Sequence, residues 1–107
     1  GAVGMSWYHE GKAQYMMLHG TENGWQEEFF QLSYDIEKVE EEFKKSGLLE
    51  KASYWAKSAI HTMKTGDDLS VPCMQLAKQM CVEERKNVSW PDIPEEYWKK
   101  AAEHFGI

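Results

Sequence analysis

Four histidines (His9, His19, His61 and His104), two cysteines (Cys73 and Cys81) and the acidic pair Asp67-Asp68 are the side chains best suited to chemistry in this chain. Imidazole titrates near neutral pH and binds metals, a thiolate is a nucleophile and a soft ligand, and a carboxylate can orient either. Their spacing argues against each use. No two histidines stand four apart and no Cys-x-x-Cys occurs, so a zinc site would have to be assembled from remote pieces, and none is assigned. Cys73 falls near an expected helix start, where the dipole can lower a thiol pKa. A small buried hydrophobe is the better account of it. An enzyme would have to use His61 or Cys73 with Asp67 or Asp68, yet both acids are better explained as helix caps. There is no Gly-rich phosphate loop and no nucleophile elbow. The chain therefore reads as non-enzymatic, with no catalytic residue, no metal and no cofactor.

Bulk composition narrows the partners. The 107 residues are enough for one domain and carry 42% apolar residues, including five Trp, five Tyr and four Phe, which is ample for a packed core. A net charge of −6 makes duplex nucleic acid a poor partner, because phosphate binding needs a basic face. A protein with a basic or neutral surface fits better. Apolar runs are only a few residues long, so no membrane span is expected. Gly1-Ala2-Val3-Gly4 before Met5 reads as a tag remnant, leaving residues 5–107 as one helical domain. Cys73 and Cys81 sit on one expected helix, about 12 Å apart in rise, too far for a disulfide within it. Reduced, packed cysteines suit a cytoplasmic location.

Periodicity predicts the positioning elements. Trp25, Phe29, Leu32, Ile36, Val39 and Phe43 form one stripe on a helical wheel and predict a long helix from Trp25, with Lys44 and Lys45 in its last turn and Gly47 as its stop. Glu40–Lys44 and Glu41–Lys45 are i, i+4 pairs on it. A second helix runs from Leu48 to about Lys64, ended by Gly66. A third follows Asp67-Asp68, Ser70 and Pro72, with Met74, Ala77, Met80 and Cys81 inward. The last spans about Pro94 to Phe105, capped by Asp92, with Tyr97, Trp98, Ala101 and Phe105 inward. For Ser6 to Gly20 a helix containing Tyr8, Tyr15 and Met16 is favoured, although "MLHGTENGWQ" could instead be a hairpin turn between strands. The expected fold is all-α: four to five helices packed as antiparallel hairpins.

"YWAKSA" (Tyr54–Ala59) and "YWKKAA" (Tyr97–Ala102) are nearly the same six letters, 43 residues apart. Ser33 to Gly66 is a block of 34 residues. With Ile36, Val39 and Phe43 followed by Gly47, Leu49, Ala52, Ala59 and Ile60, it resembles a tetratricopeptide-type helical hairpin. Glu40 departs from that pattern where a small residue is usual, and the second doublet arrives nine residues late. "LLEKASYWAKSAI" (residues 48–60) separately resembles the terminal helix of phage proteins that sequester cyclic-nucleotide signals. Leu49, Glu50, Ala52, Trp55, Ala56, Ala59 and Ile60 carry that likeness. Gly47 departs from it, and the last forty-odd residues have no counterpart. The first resemblance implies a protein-binding scaffold. The second implies an oligomeric sponge for a small nucleotide, with Tyr54 and Trp55 near the ligand. Both imply binding rather than turnover.

Surface expectations follow. Phe30 and Tyr34 point away from the long helix's apolar stripe, and Tyr54 and His61 share the outer side of the second helix. Glu37 and Glu41 belong to an acidic run that can speed association with a basic partner. The function expected is therefore a small acidic helical adaptor or inhibitor. Its protein partner would be engaged through Phe30, Tyr34, Glu37, Glu41, Tyr54 and His61, and homo-oligomerisation is compatible with this. The alternative is the nucleotide sponge, with Tyr54 and Trp55 as ligand residues.

Overall fold

Glu22 and Asn23 form the bend of the first element, and Gly24 follows where the chain turns back. A short polar bend with glycine between two nine-residue segments is a local hairpin signal. The structure, a computed structural model, describes residues 5–6, 11–85 and 87–107. Strands β1 (Ala13–Thr21) and β2 (Gly24–Leu32) pair antiparallel, from Ala13 opposite Leu32 to Thr21 opposite Gly24. Gly24 closes the turn at φ 114°, a conformation that L side chains rarely adopt. The Thr21 hydroxyl donates to the Gly24 carbonyl at 2.7 Å and holds the bend.

This hairpin overturns the all-α expectation. Trp25, Phe29 and Leu32 belong to a strand, and Tyr15 and Met16 to its partner. The helical stripe was genuine only from Ile36 onward. Tyr8 and His9, like the leading residues 1–4, lie outside the described residues.

Five helices follow among the described residues: α1 (Ile36–Lys45), α2 (Leu48–Lys51), α3 (Ser53–Thr65), α4 (Ser70–Arg85) and α5 (Glu95–Phe105). Asp35 caps α1, its carboxylate accepting from the Lys38 N–H at 3.1 Å. Gly47 and Gly66 stop their helices with φ of 75° and 78°. The expected second helix is broken at Ala52–Ser53, where Ser53 takes φ 41°. That left-handed turn costs an L-residue about 1–2 kcal/mol, and it separates α2 from the direction of Tyr54 and Trp55. Asp68 accepts from the Ser70 N–H at 2.9 Å at the entry to α4. Asp92 does not cap α5. Its own N–H bonds to Ser89 at 2.8 Å, and α5 begins after the extended Pro94.

The core lies between α4 and α5, around Cys73, Ala77, Cys81, Ile93, Tyr97, Ala101 and Ala102. Ala56, Ala59, Ile60 and Met63 bury the inner side of α3. Small residues at these crossings let the helices approach closely. No helix among the described residues is long and apolar enough to cross a membrane.

The hairpin stands apart from this body. Among the described residues neither strand packs against a helix. The molecule measures 61 × 32 × 20 Å, with a radius of gyration of 17.8 Å, against about 13 Å for a compact domain of this length. A nine-residue strand spans about 30 Å.

Gly11 is where the arm's base meets the helices. It is buried at φ +65°, and a Cβ there would lie 1.6 Å from the Met63 carbonyl oxygen. Gly11→Ala should therefore lower stability by roughly 2–4 kcal/mol, by combining a left-handed penalty with a backbone clash. Gly47→Ala shares the dihedral but has nothing within 4 Å of the new carbon. It should cost only about 1 kcal/mol. Urea midpoints of the two variants check the contrast, and equal midpoints would refute the close approach.

Candidate functional site

Alternation along the strands divides the arm into two faces. Met16 opposite Phe29, Leu18 opposite Glu27 and Gly20 opposite Trp25 make one of them. On it Trp25 and Phe29 are each 73% exposed, Leu18 55% and Met16 45%. The Trp25 indole lies across Gly20, where an added Cβ would come within 3.4 Å of the ring. On the other face Tyr15 and Phe30 stack with centroids 4.8 Å apart, and His19 pairs with Glu28 at 2.9 Å. Ala13–Thr21 carries no Lys, Arg, Asp or Glu, whereas β2 carries Glu27 and Glu28. β1 therefore lacks the charges with which edge strands usually deter pairing.

A second concave surface lies among the helices. Tyr54 and Trp55 from the start of α3, Trp90 from the loop before α5, and Trp98 with Glu95 from α5 line a cleft of about 380 Å³. Lys51 at the end of α2 lies on its rim. The two YW doublets thus meet in space. Trp55 and Trp98 share the cleft, whereas Tyr97 is fully buried with its hydroxyl donating to Glu84 at 2.7 Å.

The residues expected to form a partner surface are distributed over β2, the link after it, α1 and two sides of α3. Phe30 is on β2, stacked on Tyr15. Tyr34 lies in the link to α1, half-buried, and burial raises its phenol pKa. Glu37 and Glu41 are exposed on α1, Glu41 beside Lys45 at 3.8 Å. Tyr54 packs against the α4–α5 core, with the Lys57 ammonium 4.9 Å from its ring centroid. His61 faces a different cleft, of about 350 Å³, with Glu40, Leu49, Ile60 and Lys64. Glu40 accepts a charge-assisted hydrogen bond from Lys64, which holds its carboxyl below the usual range and ties α1 to α3. Of the expected set, Tyr54 and Trp55, the ligand pair, share one cleft.

Sequence reasoning missed Met16 and Leu18 as exposed contacts and read Trp25 and Phe29 as core. It also missed Trp90 and Glu95. The available signals were the short polar bend with glycine between nine-residue segments and the repetition of the YW doublet itself.

Both cysteines are free and buried, at 0% exposure for Cys73 and 1% for Cys81. Burial raises the Cys73 thiol pKa, which suppresses the thiolate. Under native conditions both thiols should react with an aromatic disulfide reagent at least about a hundredfold more slowly than after unfolding in urea. Rapid native labelling of either would contradict this packing. Among the described residues no three His, Cys, Asp or Glu side chains are gathered where they could hold a metal ion.

No protein-family model, no curated protein and no solved structure matches the chain.

Proposed function

We propose that this chain is a non-catalytic binding protein that engages a protein partner through its β-hairpin, with the acidic face of α1 steering the approach. One observation carries the reading: a hairpin of two nine-residue strands, neither packed on a helix among the described residues, leaves Trp25 and Phe29 each 73% exposed. A lone two-stranded hairpin is marginal in water, and an apolar face of this kind marks a contact surface. The uncharged edge of β1 can accept a further strand, whose main-chain hydrogen bonds supply affinity while alternate side chains supply selection. Tryptophan and phenylalanine are the residue types that dominate binding energy at such contacts.

Charge limits the partner. At net −6, with Glu37, Glu41 and Glu42 exposed along α1, the chain repels acidic surfaces and accelerates encounter with basic ones. The test is native mass spectrometry of the protein purified gently from its own host, alongside a Trp25→Ser/Phe29→Ser variant. A co-purifying protein retained by the wild type and absent from the variant supports the reading. The same partner retained by both would place binding elsewhere.

A further inference from the structure

The cleft where the two YW doublets meet has features that the hairpin reading does not use. Trp55 is 43% exposed and Trp90 61%. Among the described residues neither of these indoles, nor Trp98, stacks on another ring. The aromatic walls come from three separate segments, the start of α3, the loop before α5 and α5 itself, so they converge on a common space. Glu95 lines that space, and no described residue forms an ion pair with it.

The tyrosines beside these indoles already hold cations. In each doublet the tyrosine holds an ammonium from three residues further on. Lys57 Nζ lies 4.9 Å from the Tyr54 centroid, and Lys100 Nζ lies 5.2 Å from the Tyr97 centroid. The tryptophan beside each tyrosine is the stronger cation-binding ring, and among the described residues neither has a lysine over it. We propose that this cleft binds a methylated ammonium group, seated among Trp55, Trp90 and Trp98 with Glu95 as its counter-charge.

The chemistry fits that ligand in three ways. A methylated ammonium is weakly hydrated and spreads its charge over C–H groups, so it gains most from a ring quadrupole and loses least on leaving water. The volume of about 380 Å³ accommodates a small head group with part of its carrier. A phosphate-bearing ligand would meet Glu95 directly, with Lys51 the one cation in the lining among the described residues. Lys51 also repels a bare cation, so the site selects a methylated ammonium that carries an anion beside it. A free betaine-type zwitterion and a trimethyl-lysine in an acidic peptide both meet that condition.

The test follows the indole N–H resonances of Trp55, Trp90 and Trp98 on the full chain during titration. Glycine betaine should shift all three in a saturable way. Its uncharged-head isostere, 3,3-dimethylbutanoate, should bind at least about tenfold more weakly, because it keeps shape and carboxylate but lacks the cation. Trp90→Ala and Glu95→Gln alter exposed positions and should each weaken betaine about tenfold, with the helical melt shifted by no more than a few degrees. Lys51→Met should weaken betaine yet tighten tetramethylammonium. A trimethyl-lysine peptide with a neighbouring glutamate, titrated in parallel, separates the two sources, since the tighter of the two ligands identifies the carrier. Equal binding of betaine and its isostere would overturn the proposal in favour of a merely apolar cleft. Shifts with adenosine monophosphate but none with betaine would overturn it in favour of a nucleobase.

Discussion

Replacing Tyr97 with alanine should unfold the helical body. Among the described residues its ring is the largest side chain that is fully buried, and it belongs to the core of Cys73, Ala77, Cys81 and Ala101 where α4 meets α5. Truncating a buried aromatic costs about 3–5 kcal/mol, a large share of the roughly 5–15 kcal/mol that a domain of this size possesses. The fully buried alanines and cysteines of this core are too short to fill the space. Tyr97→Phe separates packing from polarity. It keeps the ring and removes only the hydroxyl that donates to Glu84 at 2.7 Å. Glu84 is exposed and close to Lys100 at 3.5 Å, so water and lysine can replace the lost donor. That variant should lose only about 0.5–1.5 kcal/mol. Helical circular dichroism during heating reads both. Tyr97→Ala should melt at least about 15 °C lower or show no cooperative transition, and Tyr97→Phe only a few degrees lower. An alanine variant that melts within about 3 °C of the wild type would mean that the core is not organised around this ring.

The second large effect is expected at the opposite end of the molecule and should leave that melt untouched. Trp25→Ser/Phe29→Ser removes both of the most exposed rings on one face of the hairpin. At an interface each such ring is worth about 2 kcal/mol or more, so partner affinity should fall by at least about a hundredfold. Because neither strand packs on a helix among the described residues, the helical transition should stay where it is. The pairing of unchanged stability with lost binding is what distinguishes a docking arm from a structural one. Surface plasmon resonance against the co-purified partner at rising salt then separates contact from steering. The wild type should associate more slowly as salt rises, whereas the variant should fail chiefly through faster dissociation. A variant that melts early instead would assign the hairpin a structural role and remove the main support for the binding reading.

How much of this was legible before folding depended on distance along the chain. Features closed within a few residues were readable. The Glu40–Lys44 and Glu41–Lys45 pairs form at 3.5 and 3.8 Å. Gly47 and Gly66 take the left-handed conformation that ends a helix, and Ala77 and Cys81 face the core as their spacing requires. In each case the determining partner is at most a turn away, so local stereochemistry suffices. The hairpin was misread for an equally physical reason. Trp25 and Phe29 are four apart, a spacing that returns to the same side in a strand as well as in a helix. Continuation of the stripe into the genuine helix α1 made the helical reading look complete. Only pairing with Ala13–Thr21 decided the period, and that partner lies across the turn. Exposure was equally out of reach, because whether Trp25 and Phe29 face water depends on a neighbour failing to cover them. The aromatic cleft lies beyond local reading altogether. Trp55, Trp90 and Trp98 come from positions up to 43 residues apart. What gathers them is the docking of α5 on α4 and α3 around buried Tyr97, a long-range packing that no window of sequence contains.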